Sequence, residues 1–165
     1  MTKLKLNHAI WAIVPAAGIG QRMQADVPKQ YLPLNGHPVL EHTVNVLLQN
    51  QNVKGLFISL RSDDVYWPEI KSTSAKPVVC AKGGNQRADS VLNALNELFQ
   101  YEQFDETDWV LVHDAVRPCL RQQDIDKLLT EVGDDVNGGL LALPVRDTMK
   151  RQHDGKSVAT VEQTV

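Results

Sequence analysis

An apolar run, Ala9 to Val14, ends abruptly in Pro15-Ala16-Ala17-Gly18-Ile19-Gly20-Gln21-Arg22-Met23, with Pro28-Lys29-Gln30 close behind. A short apolar run bounded by turn residues predicts a buried strand. The small residues let backbone approach a ligand closely and turn without a Cβ penalty. Free N–H groups in such a turn form an anion-binding concavity, to which Arg22 and Lys29 add two positive charges. Together they predict a polyphosphate site. The glycines alone are not diagnostic and would suit a plain strand-to-helix turn. Gly18-x-Gly20 has no third glycine of the dinucleotide fingerprint, and no Gly-Lys-Ser/Thr marks a P-loop.

At 165 residues the chain is long enough for one domain, residues 1–165, with a substantial core. A net charge of −3 gives no basic footprint, so a nucleic-acid surface is not expected. Phosphate binding must then come from local placement of Arg and Lys. No apolar run approaches membrane-spanning length, and Met1 to His8 lacks the apolar stretch of a secretory signal. Cys80 and Cys119 have neither metal-site nor disulfide-framework spacing. They are expected to sit reduced in the core of a cytoplasmic protein.

After the first strand, Asn35-Gly36 signals a turn and Pro38 suits the first position of a helix. Leu40, Val44, Leu47 and Leu48 then fall at helical spacing, and Val53 to Leu60 predicts a second strand. Residues Ser62 to Ser74 are polar, with room for a short helix, and Lys76 to Cys80 holds a third strand. A helix with Val91, Leu92, Leu95, Leu98 and Phe99 on one face follows, then a fourth strand, Trp109 to Val112. Ile125, Leu128, Leu129 and Val132 mark a helix from Gln122 to Val132, and Leu140 to Leu143 predicts a fifth strand. Strands alternating with amphipathic helices indicate an α/β fold with a mainly parallel sheet flanked by helices. The ligand-type residues cluster after strands one, three, four and five, where ligands bind in open α/β sheets.

Three further strings stand at those positions. Gly83-Gly84-Asn85-Gln86-Arg87-Ala88-Asp89-Ser90 opens a helix: a glycine turn capped by Ser or Asp, or N–H groups facing a phosphate or base edge. In His113-Asp114-Ala115-Val116-Arg117-Pro118, Asp114 is placed for a divalent metal or a substrate hydroxyl, and Arg117 for a second phosphate. The plainer alternative is an Asp–Arg pair that stabilises the loop. His113 reads as a hydrogen-bonded strand residue and not as a base. Pro144 to Arg151 is basic and by itself would suit a solvated loop; it runs into strand-like residues around Asp154-Gly155, which predicts a projecting hairpin, with a second subunit the natural surface for it to pack on.

Taken together, Pro15 to Met23, Pro28 to Leu32, Gly83 to Leu92, Val110 to Leu120 and Pro144 to Arg151 resemble the 2-C-methyl-D-erythritol 4-phosphate cytidylyltransferase family of non-mevalonate isoprenoid biosynthesis. The resemblance implies a Rossmann-like sheet with a protruding β-arm, here residues 145–165, through which a homodimer forms. It also implies Mg²⁺-dependent joining of CTP and 2-C-methyl-D-erythritol 4-phosphate, with pyrophosphate leaving. By motif, Arg22 and Lys29 would be catalytic, offsetting charge on the phosphates. Ala16, Ala17, Gly18, Gly20, Gly84, Asn85, Arg87, Ser90 and Ala115 would bind the nucleotide, Ala115 beside the ribose. Asp114, Arg117 and Thr148 would meet the acceptor, with Asp114 also near the metal. Many relatives carry an acid where this chain has Asn85. The family's chain also continues further, so the resemblance implies a C-terminally shortened chain whose arm arginine would follow Thr164-Val165. Alternatives are a nucleotidyltransferase for sugar phosphates or a cofactor, which shares the first loop, and a non-catalytic nucleotide-binding fragment.

Overall fold

The computed structural model describes residues 8–18, 27–133, 135–145 and 147–161. It divides into a larger unit, Met1–Gly133, and a smaller one, Asp134–Val165. In the larger unit, β1 (Ile10–Pro15) is followed by a 3-10 turn (Lys29–Tyr31) and a small ribbon of β2 (Pro33–Leu34) and β3 (His37–Pro38). Then come α1 (Val39–Gln49), β4 (Val53–Leu60), a second 3-10 turn (Trp67–Glu69), β5 (Val78–Lys82), α2 (Arg87–Phe99), β6 (Trp109–Val112) and α3 (Gln122–Val132). The smaller unit holds β7 (Lys150–His153) paired antiparallel with β8 (Lys156–Thr160). No helix among the described residues is long and apolar enough to cross a membrane.

The main sheet runs in the order β5-β4-β1-β6, and every pairing in it is parallel. This is the α/β arrangement with a parallel sheet that the alternating pattern predicts, and the Rossmann-like sheet that the family resemblance implies. β1 lies inside the sheet and is buried on both faces. Ile10, Ala12 and Val14 pack in one cluster with Leu40, Val44, Leu47 and Leu48 of α1 and Ile125 of α3. Trp11 and Ile13 pack in the other with Phe57, Ala94 and Leu98. Burying each of the large side chains contributes about 1.5–3 kcal/mol. The Trp11 ring meets Phe57 at 5.9 Å and Tyr101 at 5.3 Å, both edge-on. Its indole N–H donates to Asp108 at 2.9 Å, so the one polar atom of this core residue is paired.

Local chemistry explains where the elements depart from expectation. Pro38 caps α1 from outside and is not its first helical residue, because its backbone is extended and paired with Pro33. The ribbon turn at Asn35 (φ 49°) and Gly36 (φ 85°) has the two left-handed residues that such a tight hairpin requires. β5 begins at Val78, two residues later than expected: Pro77, which has no N–H, contributes only its carbonyl, to Leu56. The polar stretch between β4 and β5 forms only the short turn at Trp67–Glu69.

Three expectations are corrected. The fifth strand over Leu140–Leu143 does not form: these residues pair with no strand, and Leu140 and Leu143 are 77% and 90% exposed. An apolar run becomes a strand only where a partner supplies the ladder. Of the predicted α2 face, Leu98 is fully buried and Val91 and Leu95 pack half-buried against the same cluster, but Leu92 and Phe99 are more than half exposed, and Ser90 and Ala94 complete the buried stripe. Trp11 and Phe57 already fill the sheet face beneath α2, so close packing admits a stripe that begins with small residues. Cys80 and Cys119 are free and exposed and do not sit in the core, one on the edge strand β5 and the other in the loop after β6.

The α2 stripe is directly testable. We expect Ala94→Leu to overpack this layer and cost about 1–3 kcal/mol in urea denaturation. Leu92→Ser should stay within about 0.5 kcal/mol. The reverse ranking would restore the stripe read from periodicity.

Candidate active site

The strand order dictates where a ligand can sit. From β1 the chain moves outward through β4 to β5, then returns to the other side of β1 as β6. The loops leaving β1 and β6 therefore diverge at their carboxyl ends and open a crevice. A cleft of about 370 Å³ lies there. It gathers Ala16, Ala17 and Gly18 after β1, Lys29, then Gly84, Asn85, Arg87 and Ser90 after β5, and Asp114, Ala115 and Arg117 after β6. Loops separated by about a hundred residues in sequence thus line one wall-to-wall site. Gly20 and Arg22 lie outside the described residues. Thr148 belongs to the smaller unit. The described residues that line the cleft come from the chain following three strands, β1, β5 and β6.

Close backbone approach is built in. A Cβ on Gly83 would overlap that of Ala17 and come within 2.9 Å of the Leu60 carbonyl. Only glycine lets the second loop lie against the first. Gly84 is similarly crowded by Asp89 and Ser90 at the start of α2. That start is closed by a reciprocal cap between Gln86 and Asp89, in which the Gln86 N–H donates to the Asp89 carboxylate at 3.0 Å. The expected Asp cap is present, and it coexists with a helix start that lines the cleft.

The charges converge on Asp114. Arg87 donates through Nε to Oδ1 at 2.9 Å, and Arg117 donates through Nε to Oδ2 at 2.9 Å. Partial burial alone would raise the Asp114 carboxyl; the hydrogen bonds and charges of the two arginines outweigh it and hold the group below its ordinary value. The Asp–Arg pair weighed as the plain reading of this loop is real, and it includes Arg87 from the second loop. His113 donates from Nε2 to the Arg117 carbonyl at 2.9 Å and braces the same turn. Asp114 is the one acid among the described residues lining the cleft. A single carboxylate suits Mg²⁺ held mainly by nucleotide phosphates and water.

Three polar residues that the sequence reading passed over support these loops. Gln30, 2% exposed, donates its amide to the Ala16 carbonyl at 2.7 Å. Thr43, fully buried on α1, donates to the Ala115 carbonyl at 3.0 Å. Ser59, fully buried in β4, accepts the Ala16 N–H through its carbonyl and donates its hydroxyl to the Ser90 carbonyl. Only Ser59 carried a signal, as the one polar residue of Leu56-Phe57-Ile58-Ser59-Leu60; Gln30 follows Lys29 and Thr43 follows Glu41-His42, where another polar residue is unremarkable.

A parallel sheet whose diverging loops bring glycine backbone, a helix start and several cations into one crevice is the nucleotide-binding class of α/β protein. The comparisons narrow this. The family model described as IspD: 2-C-methyl-D-erythritol 4-phosphate cytidylyltransferase matches residues 10–164, and the chain belongs to that family. It is 52% identical over 157 residues to the 2-C-methyl-D-erythritol 4-phosphate cytidylyltransferase of Pseudomonas entomophila (strain L48), covering 94% of this chain and 66% of that one. Among solved structures, a 4-diphosphocytidyl-2C-methyl-D-erythritol synthase superposes with a TM-score of 0.81 at 32% identity, covering 96% of this chain and 70% of that chain. The IspD of Francisella tularensis gives 0.74 at 30%, covering 94% and 67%. The chain spans about two thirds of the length of the curated relatives it matches.

The Asp114 cluster carries a pH signature. A carboxyl held below its ordinary value when folded contributes stability that is full above the unfolded pKa, about 4, and is lost as pH falls through the folded one. Asp114→Asn should therefore be less stable than wild type at pH 7, with the difference shrinking below about pH 4. Urea midpoints at pH 7 and pH 3 check this; an equal gap at both would show that the arginines do not act on Asp114.

Proposed function

We propose that this chain carries the nucleotide site of a cytidylyltransferase that joins CTP and 2-C-methyl-D-erythritol 4-phosphate. In that reaction an acceptor phosphate oxygen forms a bond to the α-phosphorus of CTP. The bond from that phosphorus to the bridging oxygen breaks, and pyrophosphate leaves. The nucleophile comes with the substrate, so the protein needs no reactive side chain, only positioning and offset of charge. The observation that carries the reading is the convergence of Lys29, Arg87 and Arg117 with the Ala16–Gly18 and Gly84–Asn85 backbones in one cleft.

Within it the roles divide by place. Lys29 faces the triphosphate beside the first loop, and Arg22, in the same loop by sequence, adds a second cation. The glycine-rich backbones of the two loops read the base, with Asn85 as a side-chain partner for the cytosine amine. Ala115 borders the ribose. Arg117 presents a planar donor fork to the acceptor phosphate, and Arg87 stands beside it on the nucleotide side. Mg²⁺ held by Asp114 and the phosphates would neutralise charge on the departing pyrophosphate. The β7–β8 hairpin is exposed along its whole length, which suits an arm that pairs two subunits, in a cytoplasmic enzyme.

Isothermal titration with CTP and Mg²⁺, together with a pyrophosphate-release assay containing the acceptor, tests the reading. CTP should bind in preference to UTP, and failure to bind CTP would sink it. Because Lys29 acts on phosphate and not on the base, Lys29→Ala should weaken CTP binding by about tenfold or more while changing CMP binding little. Equal losses for both nucleotides would remove Lys29 from the triphosphate.

A further inference from the structure

The buried polar groups beneath the cleft form a connected run between the two loops that face the base. Ser59 sits next to last in β4, in register with Pro15 of β1 on one side and Ala81 of β5 on the other. Its carbonyl accepts the Ala16 N–H at 2.9 Å, and its hydroxyl donates to the Ser90 carbonyl. Ser90, 3% exposed, accepts the Gly84 N–H at 3.0 Å through its own hydroxyl and donates to the Gln86 carbonyl at 3.2 Å. From the opposite side Gln30 holds the Ala16 carbonyl. Gln30, Ala16, Ser59, Ser90 and Gly84 are thus linked in series.

Nothing about the strand itself calls for this. Leu56, Phe57, Ile58 and Leu60 surround Ser59 in β4, and a hydroxyl buried there is unfavourable unless bonded. The Ser90 carbonyl lies in the first turn of α2, where the helix already supplies it with a backbone donor. The Ser59 bond is therefore an added tie, and what it ties is the start of α2 to the strand that holds Ala16. Both N–H groups at the ends of the run are committed within the frame. That makes them spacers, and leaves neighbouring backbone at Ala17, Gly18 and Asn85 to meet a ligand.

We propose that Ser59 is a positioning residue for base selection: it fixes the spacing between the Ala16–Gly18 and Gly84–Asn85 loops at the separation a cytosine edge requires. This rests on the cytidine reading above. Cytosine and uracil differ at one exocyclic group, an amine donor against a carbonyl acceptor. A site rejects the wrong one only if its own polar groups cannot shift to suit it.

The test compares wild type, Ser59→Ala and a control, Val44→Ala, which creates a cavity in the fully buried face of α1 away from the cleft. CTP and UTP affinities are measured by titration, and backbone amide exchange is followed without nucleotide. We expect Ser59→Ala to lose about tenfold of the CTP-over-UTP preference, with faster exchange at Gly84, beside the freed Ser90, relative to Ala16, whose N–H keeps the backbone carbonyl of residue 59. Val44→Ala should lower stability yet keep the preference and leave those two amides unchanged relative to each other. An unchanged CTP-to-UTP ratio in Ser59→Ala overturns the proposal, as does the same loss of ratio in Val44→Ala. Should wild type bind both nucleotides equally, the cytidine reading fails, and exchange decides the tie alone. Acceleration of Gly84 relative to Ala16 in Ser59→Ala alone then upholds it, and no such acceleration overturns it.

Discussion

The constraint on which the rest depends is the burial of β1 on both faces and both edges. From Ile10 to Val14 no side chain is more than 1% exposed, and β4 and β6 take up its backbone hydrogen bonds on either side. Such a strand has no freedom of register: a slip of one residue would exchange Trp11 and Ile13 with Ile10, Ala12 and Val14 between two differently filled layers. The end of the strand is consequently fixed in space. Everything that happens at Pro15 to Gly18 happens at a point the core has already chosen, which is how a small-residue loop gains the precision a ligand needs.

The larger unit was legible where pattern and packing agree. Val53–Leu60, Trp109–Val112 and Gln122–Val132 are found with the bounds their apolar runs and helical spacing suggest. The α2 stripe was legible at Val91, Leu95 and Leu98 and misread at Leu92 and Phe99, because periodicity counts large apolar residues, whereas the sheet beneath decides which sizes fit; Ala94 and Ser90 carry little hydrophobic signal yet join the contact. Leu140–Leu143 was misread for a related reason, since four apolar residues state a preference for burial but not a partner. Both errors concern information that lives in the neighbour and not in the segment.

The site divides in the same manner. Unusual chemistry at strand-end turns makes Ala16–Gly18, Lys29, Gly84–Arg87 and Asp114–Arg117 stand out along the chain, and one cleft collects them. Gln30 and Thr43 do not stand out because polar residues flank them, and Ser59 does so only faintly because a single polar residue in an apolar stretch is usually on a solvated side. Their significance appears only when each is found buried with its polar atom spent on a loop carbonyl or, for Ser59, on the carbonyl of the helix start that carries the second loop. Each of the three loops has such a support. A buried polar group is unfavourable unless its bond is made, so these side chains make loop geometry a condition of folding.

Electrostatics completes the arrangement. The chain is acidic overall, so nothing draws an anion to it at long range, and attraction must be local. Two guanidinium groups brought together would repel one another and splay toward water. Asp114 prevents this by taking one arginine on each carboxylate oxygen, which holds Arg87 of the second loop and Arg117 of the third on a common point. A phosphate presents the same planar forks with more oxygens and more charge than a carboxylate does, so it can share or take over these donors without first having to assemble them. Asp114 thus does for the cations what Ser59 does for the backbone. It holds apart, or together, groups whose useful geometry would not survive on exposed loops alone.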